Sequence, residues 1–408
     1  MTRKEFLEKS LIMGIGLPFL PAALTPPYRS PRLVFPGLPT GFTGKVIIVG
    51  AGAAGMAAGY LLNRHKIDFE ILEAAAVYGG RIKKAAAFTD FPVDLGAEWI
   101  HVHPRVLSEI TNRPNAAAGV ETMEYNPQTI MTWKKGKLRP RNYIRYLYSE
   151  WKFKRGSWFD FFEQNIVPEI SGRITLSRPV TEINYEGEKV LVKTADQETR
   201  RADKVLITVP VRMLQKEQIR FTPALPEPKR EAIGKVLMGD GIKIFVEFRE
   251  KFYPDILAFG NVFKSLTEEN KFVYDAAFNK GSGRHVLGLF AINEKASAYT
   301  RLGTEEQMIQ AFLAELDTLF GGKASANYVN HIIQNWSAEP YIQGAYSYSF
   351  DGRQKDIVQA IAEPVMGKLY FAGEALSLDN QAMVQGACQS AYATVERMLG
   401  ARVQAGRE

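Results

Sequence analysis

The feature that most constrains the fold is a glycine-rich turn, Gly50-Ala51-Gly52-Ala53-Ala54-Gly55. It follows a β-branched run, Val46 to Val49, and opens a helical pattern. A second apolar run, Phe69 to Leu72, ends at Glu73. A strand, a glycine turn, a helix, a second strand and an acid in this order are typical of a dinucleotide-binding βαβ unit.

Each residue of this unit has a physical reason for its type. Gly50 permits the tight turn, Gly52 lets the backbone approach a pyrophosphate, and Gly55 lets the helix pack closely on the strand. We expect the phosphates beside Ala53 and Ala54, because free amides and the dipole at a helix N-terminus favour anions. The carboxylate of Glu73 is then expected to accept hydrogen bonds from the adenosine ribose.

Composition limits the class of protein. The 408 residues are 46% hydrophobic, which is enough for more than one core and favours two domains. A net charge of +7 does not by itself indicate nucleic acid, and we expect none as a partner. Cys388 is the only cysteine, so an intrachain disulfide and a cysteine metal site are excluded, and a packed core thiol is expected. His101 and His103 could share a strand face, but no third ligand is evident, so no metal is predicted.

The N-terminal segment is interpreted as a targeting signal. Residues 1–31 give a charged start, an apolar run from Leu11 to Leu24 and then prolines. The start resembles a twin-arginine export signal with Lys4 in place of the second arginine, and the apolar run is short for a membrane span. An uncleaved anchor or a frayed helix is the alternative. We expect a linker at 32–44, no stable membrane insertion after signal removal, and a periplasmic or extracellular protein, or a cytoplasmic one if the signal is not functional.

Further elements follow from the patterns. We predict a hairpin and a buried strand within 190–210, an amphipathic helix over 306–320, a strand ending in a turn at 368–375 and a helix over 382–399. The segment 133–162 mixes basic and aromatic residues. It could bind a membrane surface or an acidic polymer, but the pattern favours a solvated basic helix–loop face.

Lys243 lies in a predicted strand, where Ile242, Ile244, Val246 and Phe248 alternate with a second set of residues. The period of two sends Lys243 to the opposite face from the isoleucines. On the pattern alone, Lys243 either faces water or points into a cavity.

Several motifs together resemble those of the flavin-containing amine oxidases, a class that also holds L-amino-acid oxidases, polyamine oxidases and related desaturases. They span nearly the whole chain after the signal, in the right order. They are 79-GGR-81, 93-VDLGAEWIH-101, 205-VLITVPVRML-214, 335-NWSAEPYIQGAYS-347, 370-YFAGEALS-377 and 382-AMVQGACQSAY-392.

The resemblance implies an α/β fold in which a Rossmann-like FAD-binding domain is interleaved with a substrate domain made of a mixed sheet and helices. The implied FAD-binding segments are 45–100, 170–225 and 345–403. The implied substrate-domain segments are 101–169 and 226–344.

The resemblance also implies a set of FAD contacts. Arg81 would pair with the pyrophosphate, Glu374 would hold the ribityl chain, and Val180 would meet the adenine through its backbone. The helix beginning near Met383 would direct its N-terminal amides at the flavin N1 and O2 edge. The full implied set adds to the glycine turn and Glu73 the residues Gly80, Arg81, Gly96, Ala97, Glu98, Trp99, Val180, Trp336, Tyr341, Gly373, Glu374, Met383 and Val384. Ala345 stands where some members carry a cysteine bonded to flavin, so the FAD is expected to be non-covalent.

Two residues are implied to be catalytic. Lys243 matches a lysine that reaches a water at flavin N5, which favours the cavity interpretation of its strand. Tyr346 matches one wall of an aromatic cage for the amine. The second wall is Met383 here, so the cage is half built or is completed by another aromatic residue such as Trp99.

The segment 98-EWIH-101 bears on the substrate. Amino-acid oxidases of this class tend to carry an arginine where Trp99 stands, which counts against an α-amino acid. Glu98 could attract a cationic amine and His101 matches a polyamine-oxidase histidine, although both could be structural polar groups instead.

The implied reaction is oxidation of an amine C–N bond to an imine and then a carbonyl, with oxygen as acceptor and hydrogen peroxide as product. Two other functions remain open: a desaturase or dehydrogenase acting on a C–C bond with a non-oxygen acceptor, and a non-catalytic FAD-binding scaffold.

Overall fold

The computed structural model describes residues 33–37, 41–114, 118–141, 150–260 and 271–400. The predicted export signal, 1–31, lies outside the described residues, and the predicted linker is described only at 33–37 and 41–44. Among the described residues, no helix is both long and apolar enough to cross a membrane.

The strands and helices are numbered separately, each in chain order. The strands are β1 Lys45–Val49, β2 Asp68–Leu72, β3 Lys84–Ala85, β4 Val93–Asp94, β5 Glu121–Tyr125, β6 Ile130–Lys134, β7 Lys137–Pro140, β8 Glu150–Arg155, β9 Ile174–Thr175, β10 Val180–Asn184, β11 Val190–Thr194, β12 Thr199–Ala202, β13 Lys204–Ile207, β14 Arg220–Thr222, β15 Val236–Met238, β16 Gly241–Phe248, β17 Ile256–Phe259, β18 Lys271–Asp275, β19 His285–Ile292, β20 Tyr328–Asn335, β21 Ser347–Phe350 and β22 Leu369–Phe371. The helices are α1 Ala53–Arg64, α2 Val106–Thr111, α3 Trp158–Asn165, α4 Val167–Ile170, α5 Val211–Gln215, α6 Glu227–Gly234, α7 Asn293–Thr300, α8 Glu305–Phe320, α9 Lys323–Asn327, α10 Gln354–Ala362 and α11 Val384–Met398.

A parallel sheet carries the glycine turn. Its strand order is β22-β13-β1-β2-β9, and every neighbouring pair is parallel. β1 is buried from Val46 to Val49 because it lies in the middle of the sheet, with layers packed on both faces. Helices α1 and α11 pack together beside it in one hydrophobic core. The predicted strand, turn, helix and strand over 45–73 are confirmed.

A second, mixed sheet has the order β20-β16-β19-β18-β17-β6-β7. Strand β16, which lies between β20 and β19, is buried at every position. Ile242, Ile244 and Val246 share a core with the apolar side of α8, whereas Phe245 belongs to a different core on the opposite face. The strand alternates because two different environments cover its two faces.

The two sheets are built from alternating stretches of the chain. The parallel sheet uses strands from 45–72, 174–175, 204–207 and 369–371, and the mixed sheet uses strands from 130–140 and 241–335. The predicted α/β class, a Rossmann-like unit interleaved with a mixed sheet and helices, is confirmed. The predicted hairpin and strand within 190–210, the helix over 306–320, the strand at 368–375 and the helix over 382–399 are also confirmed.

The prediction for 133–162 is wrong for residues 150–162, whereas residues 134–140 are mostly exposed, as expected, but form a hairpin of β6 and β7. Residues 150–155 form strand β8, not a solvated helix–loop face, and Lys152, Phe153 and Trp158 are buried. β8 pairs with β5, and α3 packs Phe161 and Phe162 into the core that contains α1. The pattern misled because the charge of Lys152 is compensated inside the protein, by a buried carboxylate.

Candidate active site

The glycine turn has the geometry of a phosphate cradle. Gly50 has φ of 104°, which L side chains rarely adopt. A Cβ on Gly55 would lie 1.9 Å from the carbonyl oxygen of Gly50, so only glycine allows this approach of helix to turn. A Cβ on Gly52 would have no protein atom within 4 Å, which leaves open space in front of the first turn of α1. The turn therefore presents bare backbone to the cavity at a helix N-terminus.

Glu73 closes this unit at the end of β2. Its carboxylate accepts hydrogen bonds from the amides of Ala51, at 2.6 Å, and Ala75, at 2.8 Å. Burial raises the pKa of Glu73, and the backbone amides oppose that rise. The acid thus ties the glycine turn to the loop after β2, and it lines the cavity where the ribose was predicted.

The Gly79-Gly80-Arg81 segment lies against the glycine turn. The amide of Gly79 donates to the carbonyl of Ala51 at 2.8 Å, and Gly79 and Gly80 have φ of 111° and 57°. The guanidinium of Arg81 contacts the carboxylate of Glu374 at 2.9 Å. Ser347 Oγ also donates to Glu374, at 2.5 Å. Arg81 and Glu374, distant in sequence, are thereby held on one cavity wall.

A large cavity, of about 1180 Å³, is lined by residues of both sheets and by the glycine turn. It brings together nearly all the predicted site residues. Those that line it are Gly50, Gly52, Ala53, Ala54, Glu73, Gly80, Arg81, Gly96, Ala97, Glu98, Trp99, His101, Val180, Lys243, Trp336, Tyr341, Tyr346, Gly373, Glu374, Met383 and Val384. Gly55 does not line it, because Gly55 is buried where α1 packs against the turn.

The register of the mixed sheet builds one wall of this cavity. Lys243 on β16 lies opposite Phe290 on β19, and Phe290 lies opposite Phe272 on β18. Residues directly opposite each other in neighbouring strands share a face. The Lys243 side chain is 4% exposed, and its cavity interpretation is therefore confirmed over the water-facing one.

Glu98 is the centre of a buried charge cluster, which we call the Glu98 cluster and define as Glu98, Lys152, Lys243 and Tyr274. The Oε2 of Glu98 is 2.6 Å from Lys243 Nζ and also accepts from Tyr274 Oη, and Oε1 is 2.6 Å from Lys152 Nζ. Burial alone would raise the pKa of Glu98, but Lys152 and Lys243 lower it to about 2. Lys243 Nζ also donates to the Asp94 carbonyl at 2.8 Å.

The carboxyl group of Asp94 lies beside this cluster. It is 4% exposed, and Oδ1 has no hydrogen-bond partner among the described residues. Burial and the neighbouring Glu98 charge raise the pKa of Asp94 to about 8, against the attraction of Lys280, Lys243 and Lys152. Two carboxyl groups in one buried environment thus have pKa values that are shifted in opposite directions.

A row of aromatic rings continues the cavity wall from Tyr346. Tyr346 stacks on Phe290 with ring centroids 6.4 Å apart, Phe290 contacts Phe272 at 5.3 Å, and Phe272 contacts Trp99 at 6.1 Å. Burial, with a contribution from Glu374, raises the pKa of Tyr346 to about 12. The phenol is therefore neutral at ordinary pH. Met383 lines the same cavity as the residue before α11, and the ring that stacks on Tyr346 is that of Phe290.

His101 lies at the exposed rim of the cavity. Its Nδ1 is 3.3 Å from the carboxylate of Glu150, and 41% of its side chain is exposed. Within the described part of the chain, no group of three potential metal ligands is found.

Trp336 Nε1 donates to the Leu95 carbonyl at 3.0 Å, which fixes the loop that carries Gly96 and Ala97. Tyr341 is 40% exposed.

Sequence reasoning missed Lys152, Tyr274, Phe272 and Phe290. The two phenylalanines could have been found by pairing Lys243 across the strands, had the register been known. Lys152 has no such signal, because a lysine among basic residues is typical of a surface. Its burial follows from a tertiary arrangement of Glu98 and three aromatic rings.

Comparison with known proteins identifies the family. Residues 160–399 match the model for flavin containing amine oxidoreductases, and residues 48–113 match that of an NAD(P)-binding Rossmann-like domain. The chain belongs to the flavin containing amine oxidoreductase family. The family resemblance inferred from the motifs is confirmed.

Individual relatives differ in how much of their length is matched. The chain is 34% identical to human lysine-specific histone demethylase 2 over 220 residues, which cover 52% of this chain and 26% of that protein. It is 24% identical to polyamine oxidase 3 of Oryza sativa subsp. japonica over 437 aligned residues, covering 87% of this chain and 89% of that one. It is 29% identical to amine oxidase [flavin-containing] B of Sus scrofa, covering 57% and 44%. The chain thus spans only about a quarter of the demethylase.

Solved structures show the same fold. Cyclohexylamine oxidase from Brevibacterium oxydans IH-35A superimposes with a TM-score of 0.71 at 18% identity, covering 88% of this chain and 99% of that one. Putrescine oxidase bound to putrescine superimposes with a TM-score of 0.71 at 17% identity, covering 87% and 99%.

The residues present fit an FAD cofactor. The glycine turn offers an open backbone cradle, and Glu73 and Arg81 line the same cavity. Helix α11 begins at this cavity, where Met383 and Val384 line it. The lone cysteine, Cys388, is buried in the core and does not line the cavity, so it is not placed to bond covalently to FAD.

Proposed function

We propose that this protein oxidises a small amine at its C–N bond, using FAD, to an imine that water converts to a carbonyl compound and ammonia or a smaller amine. The observation that carries the proposal is the cavity wall on which the buried Lys243 ammonium lies opposite Phe290, which stacks against Tyr346. Family membership and the fit of the glycine turn to a dinucleotide support it.

A bound flavin supplies two-electron oxidation: the amine loses a hydride equivalent from its α-carbon and a proton from its nitrogen, and molecular oxygen accepts the electrons as hydrogen peroxide. The chain would hold this group through backbone amides of the glycine turn, with Glu73 available to the ribose and Arg81 to the phosphates. The amides at the start of α11 would stabilise negative charge on the reduced flavin.

The aromatic row selects and orients the amine. Tyr346 and Phe290 present ring surface to the cavity, and ring faces attract an amine nitrogen electrostatically. Apolar walls also disfavour the ammonium form, so the neutral amine, which has a free lone pair, is favoured at the site. The 98–101 segment has Trp99 where an arginine would pair with a substrate carboxylate. This favours an amine that has no α-carboxylate.

Lys243 acts as a positioned proton donor at Nζ. An ammonium has three N–H groups, and two of them have acceptors in Glu98 and the Asp94 carbonyl. The third serves a water or an oxygen species in the cavity. Its fixed position removes the cost of ordering that donor during the reaction.

We also propose that the protein is exported, because residues 1–31 resemble a twin-arginine signal. Activity in the periplasmic or culture fraction of an expressing bacterium would support this, and retention in the cytoplasmic fraction would overturn it.

The test is product analysis with the purified FAD-bound protein. Primary amines, polyamines and L-amino acids are supplied in air, and peroxide, ammonia and carbonyl product are measured. The proposal expects peroxide and carbonyl in equal amounts from an amine that carries no carboxylate. Turnover that requires a quinone or protein acceptor and leaves an intact C–N bond would contradict it and favour a desaturase.

A further inference from the structure

The Lys152 ammonium lies in an aromatic cage that also contains a carboxylate. Lys152 is 1% exposed, and its Nζ is 4.5, 4.6 and 5.0 Å from the ring centroids of Trp99, Tyr274 and Tyr125. Glu98 Oε1 is 2.6 Å away. Three ring faces and one anion form a receptor for an ammonium ion. Here the ammonium comes from the protein itself.

This cage shares a wall with the active-site cavity. Trp99 and Glu98 contribute to the cage and also line the cavity, whereas Lys152 does not line it. Lys152 belongs to strand β8, which pairs with β5, and it lies opposite Met123 in that pair. Lys152 thus occupies the aromatic cage and pairs with the Glu98 carboxylate, which a cation in the cavity could otherwise contact.

The charges of the Glu98 cluster sum to a positive value, because one carboxylate faces two lysines. The single negative charge of Glu98 faces both Lys152 and Lys243. Lys280 lies nearby, and its pKa is lowered to about 8 by its own burial and then by the charge of Lys152. The neutral form of Asp94 at pH 7 adds no compensation. A second ammonium in the cavity would therefore meet a net repulsion at this wall.

The other carboxylates that line the cavity are already paired in the described part of the chain. Glu374 contacts Arg81, Glu339 contacts Lys83, Glu150 contacts His101, and Glu73 accepts from two backbone amides. A distal ammonium of a long substrate would have to displace one of these partners.

We propose that Lys152 is a specificity-determining residue that occupies the cation receptor beside the active site, so that the enzyme takes amines with a single nitrogen and an apolar tail and rejects diamines. This inference rests on the proposed amine oxidation. It concerns which amine enters and not whether amines are oxidised.

The first test uses the wild-type holoenzyme and two substrates of equal length, pentylamine and 1,5-diaminopentane. They differ only in the second ammonium. We expect kcat/KM to be at least about tenfold higher for pentylamine, the order expected for one uncompensated charge. Equal or better use of the diamine overturns the inference while leaving amine oxidation intact. If neither of these substrates nor any other amine is oxidised, the proposed function is overturned and the inference with it.

The second test changes the charge. Lys152→Met keeps the length and the apolar stem but leaves Glu98 with one lysine, so the preference for pentylamine should fall by about tenfold. Lys152→Arg keeps the charge and should keep the preference. Lys154→Met, an exposed lysine on the same strand that pairs with Glu121, is the matched control and should change nothing. An unchanged preference in a folded Lys152→Met protein overturns the inference. If that variant does not fold, the wild-type comparison decides.

Discussion

The Nζ of Lys243 and the Oε2 of Glu98 lie 2.6 Å apart in the wall of the cavity, and both side chains are at most 5% exposed. An ammonium buried to this degree needs a compensating anion, and Glu98 provides it. The partner also fixes where the ammonium lies. The Glu98 cluster therefore makes Lys243 a rigid donor.

The first prediction concerns Lys243 itself. Lys243→Met should slow turnover by about two orders of magnitude, the usual size of losing one positioned donor. FAD content should stay unchanged because Lys243 lies on the mixed sheet, whereas the glycine turn follows a strand of the parallel sheet. Stopped-flow reduction and reoxidation together with the visible flavin spectrum would measure both. Lys137→Met, on exposed β7 of the same sheet, is the control. Turnover equal to wild type in Lys243→Met would remove this lysine from the mechanism.

The second prediction concerns the Tyr346 ring. Tyr346→Phe keeps the stacking on Phe290 and should retain most activity, since the phenol is neutral at ordinary pH. Tyr346→Ala removes the ring and should lower kcat/KM by about one to two orders of magnitude, reflecting about 1–3 kcal/mol of aromatic contact. Steady-state kinetics on a reactive amine would separate them. If both variants lost activity equally, the hydroxyl and not the ring would be the functional group.

The third prediction uses two glycines of the same turn. A Cβ on Gly55 would lie 1.9 Å from the Gly50 carbonyl, so Gly55→Ala should destabilise the protein by about 1–3 kcal/mol even without cofactor. A Cβ on Gly52 would meet no protein atom within 4 Å but would enter the cradle. Gly52→Ala should therefore leave the apoprotein stable and weaken FAD binding. Urea unfolding of the apoprotein and FAD titration measure the two effects. Equal FAD affinity in Gly52→Ala and wild type would refute the cradle.

The fourth prediction is a pH dependence of stability that comes from Asp94. Its pKa is raised to about 8, so between its ordinary value of 3.8 and about 8 the folded protein holds a proton that the unfolded chain has lost. Stability from this group is present at low pH and falls as pH rises toward 8. The groups that face it are Glu98, Lys152, Lys243 and Lys280.

Replacing the carboxyl group isolates this effect. Asp94→Asn cannot ionise, so between pH 5 and 7 the wild type should lose about 2–3 kcal/mol of stability relative to the variant. This range lies below the pKa of about 8 of the neighbouring Lys280, so Lys280 keeps its proton there. Glu98 does not interfere, because its lowered pKa makes its contribution change only below about pH 4.5. Urea unfolding at both pH values measures the difference. Parallel pH profiles for the two proteins would show that Asp94 does not titrate in this range.

The sequence allowed the nucleotide-binding unit and the cavity residues around it to be predicted, because their roles depend on local requirements. Gly50 needs a positive φ, Gly55 needs a close approach, and Glu73 must end the second strand. Each of these requirements restricts the residue type at a position and its spacing from the next, so it can be recognised in the sequence. The resemblance to a family added Arg81, Lys243, Tyr346 and Glu374, which the structure brings to one cavity.

The Glu98 cluster could not be predicted in the same way. Lys152 and Glu98 are far apart in sequence, and neither residue type indicates burial. The sequence suggests Glu98 as an attractant for a cationic amine, yet both of its oxygens are bound to side chains of the protein. Phe290 was missed because it becomes part of the site only through the register of β16 with β19.

The central claim is that this cavity oxidises amines, and anaerobic reduction tests it most directly. The purified yellow holoprotein is mixed without oxygen with pentylamine, with other primary amines, with polyamines and with L-amino acids, and the flavin absorbance is followed. The account predicts bleaching by a carboxylate-free amine and recovery of the colour, with peroxide, when air is admitted. A flavin that is clearly bound but is bleached by no amine would contradict it.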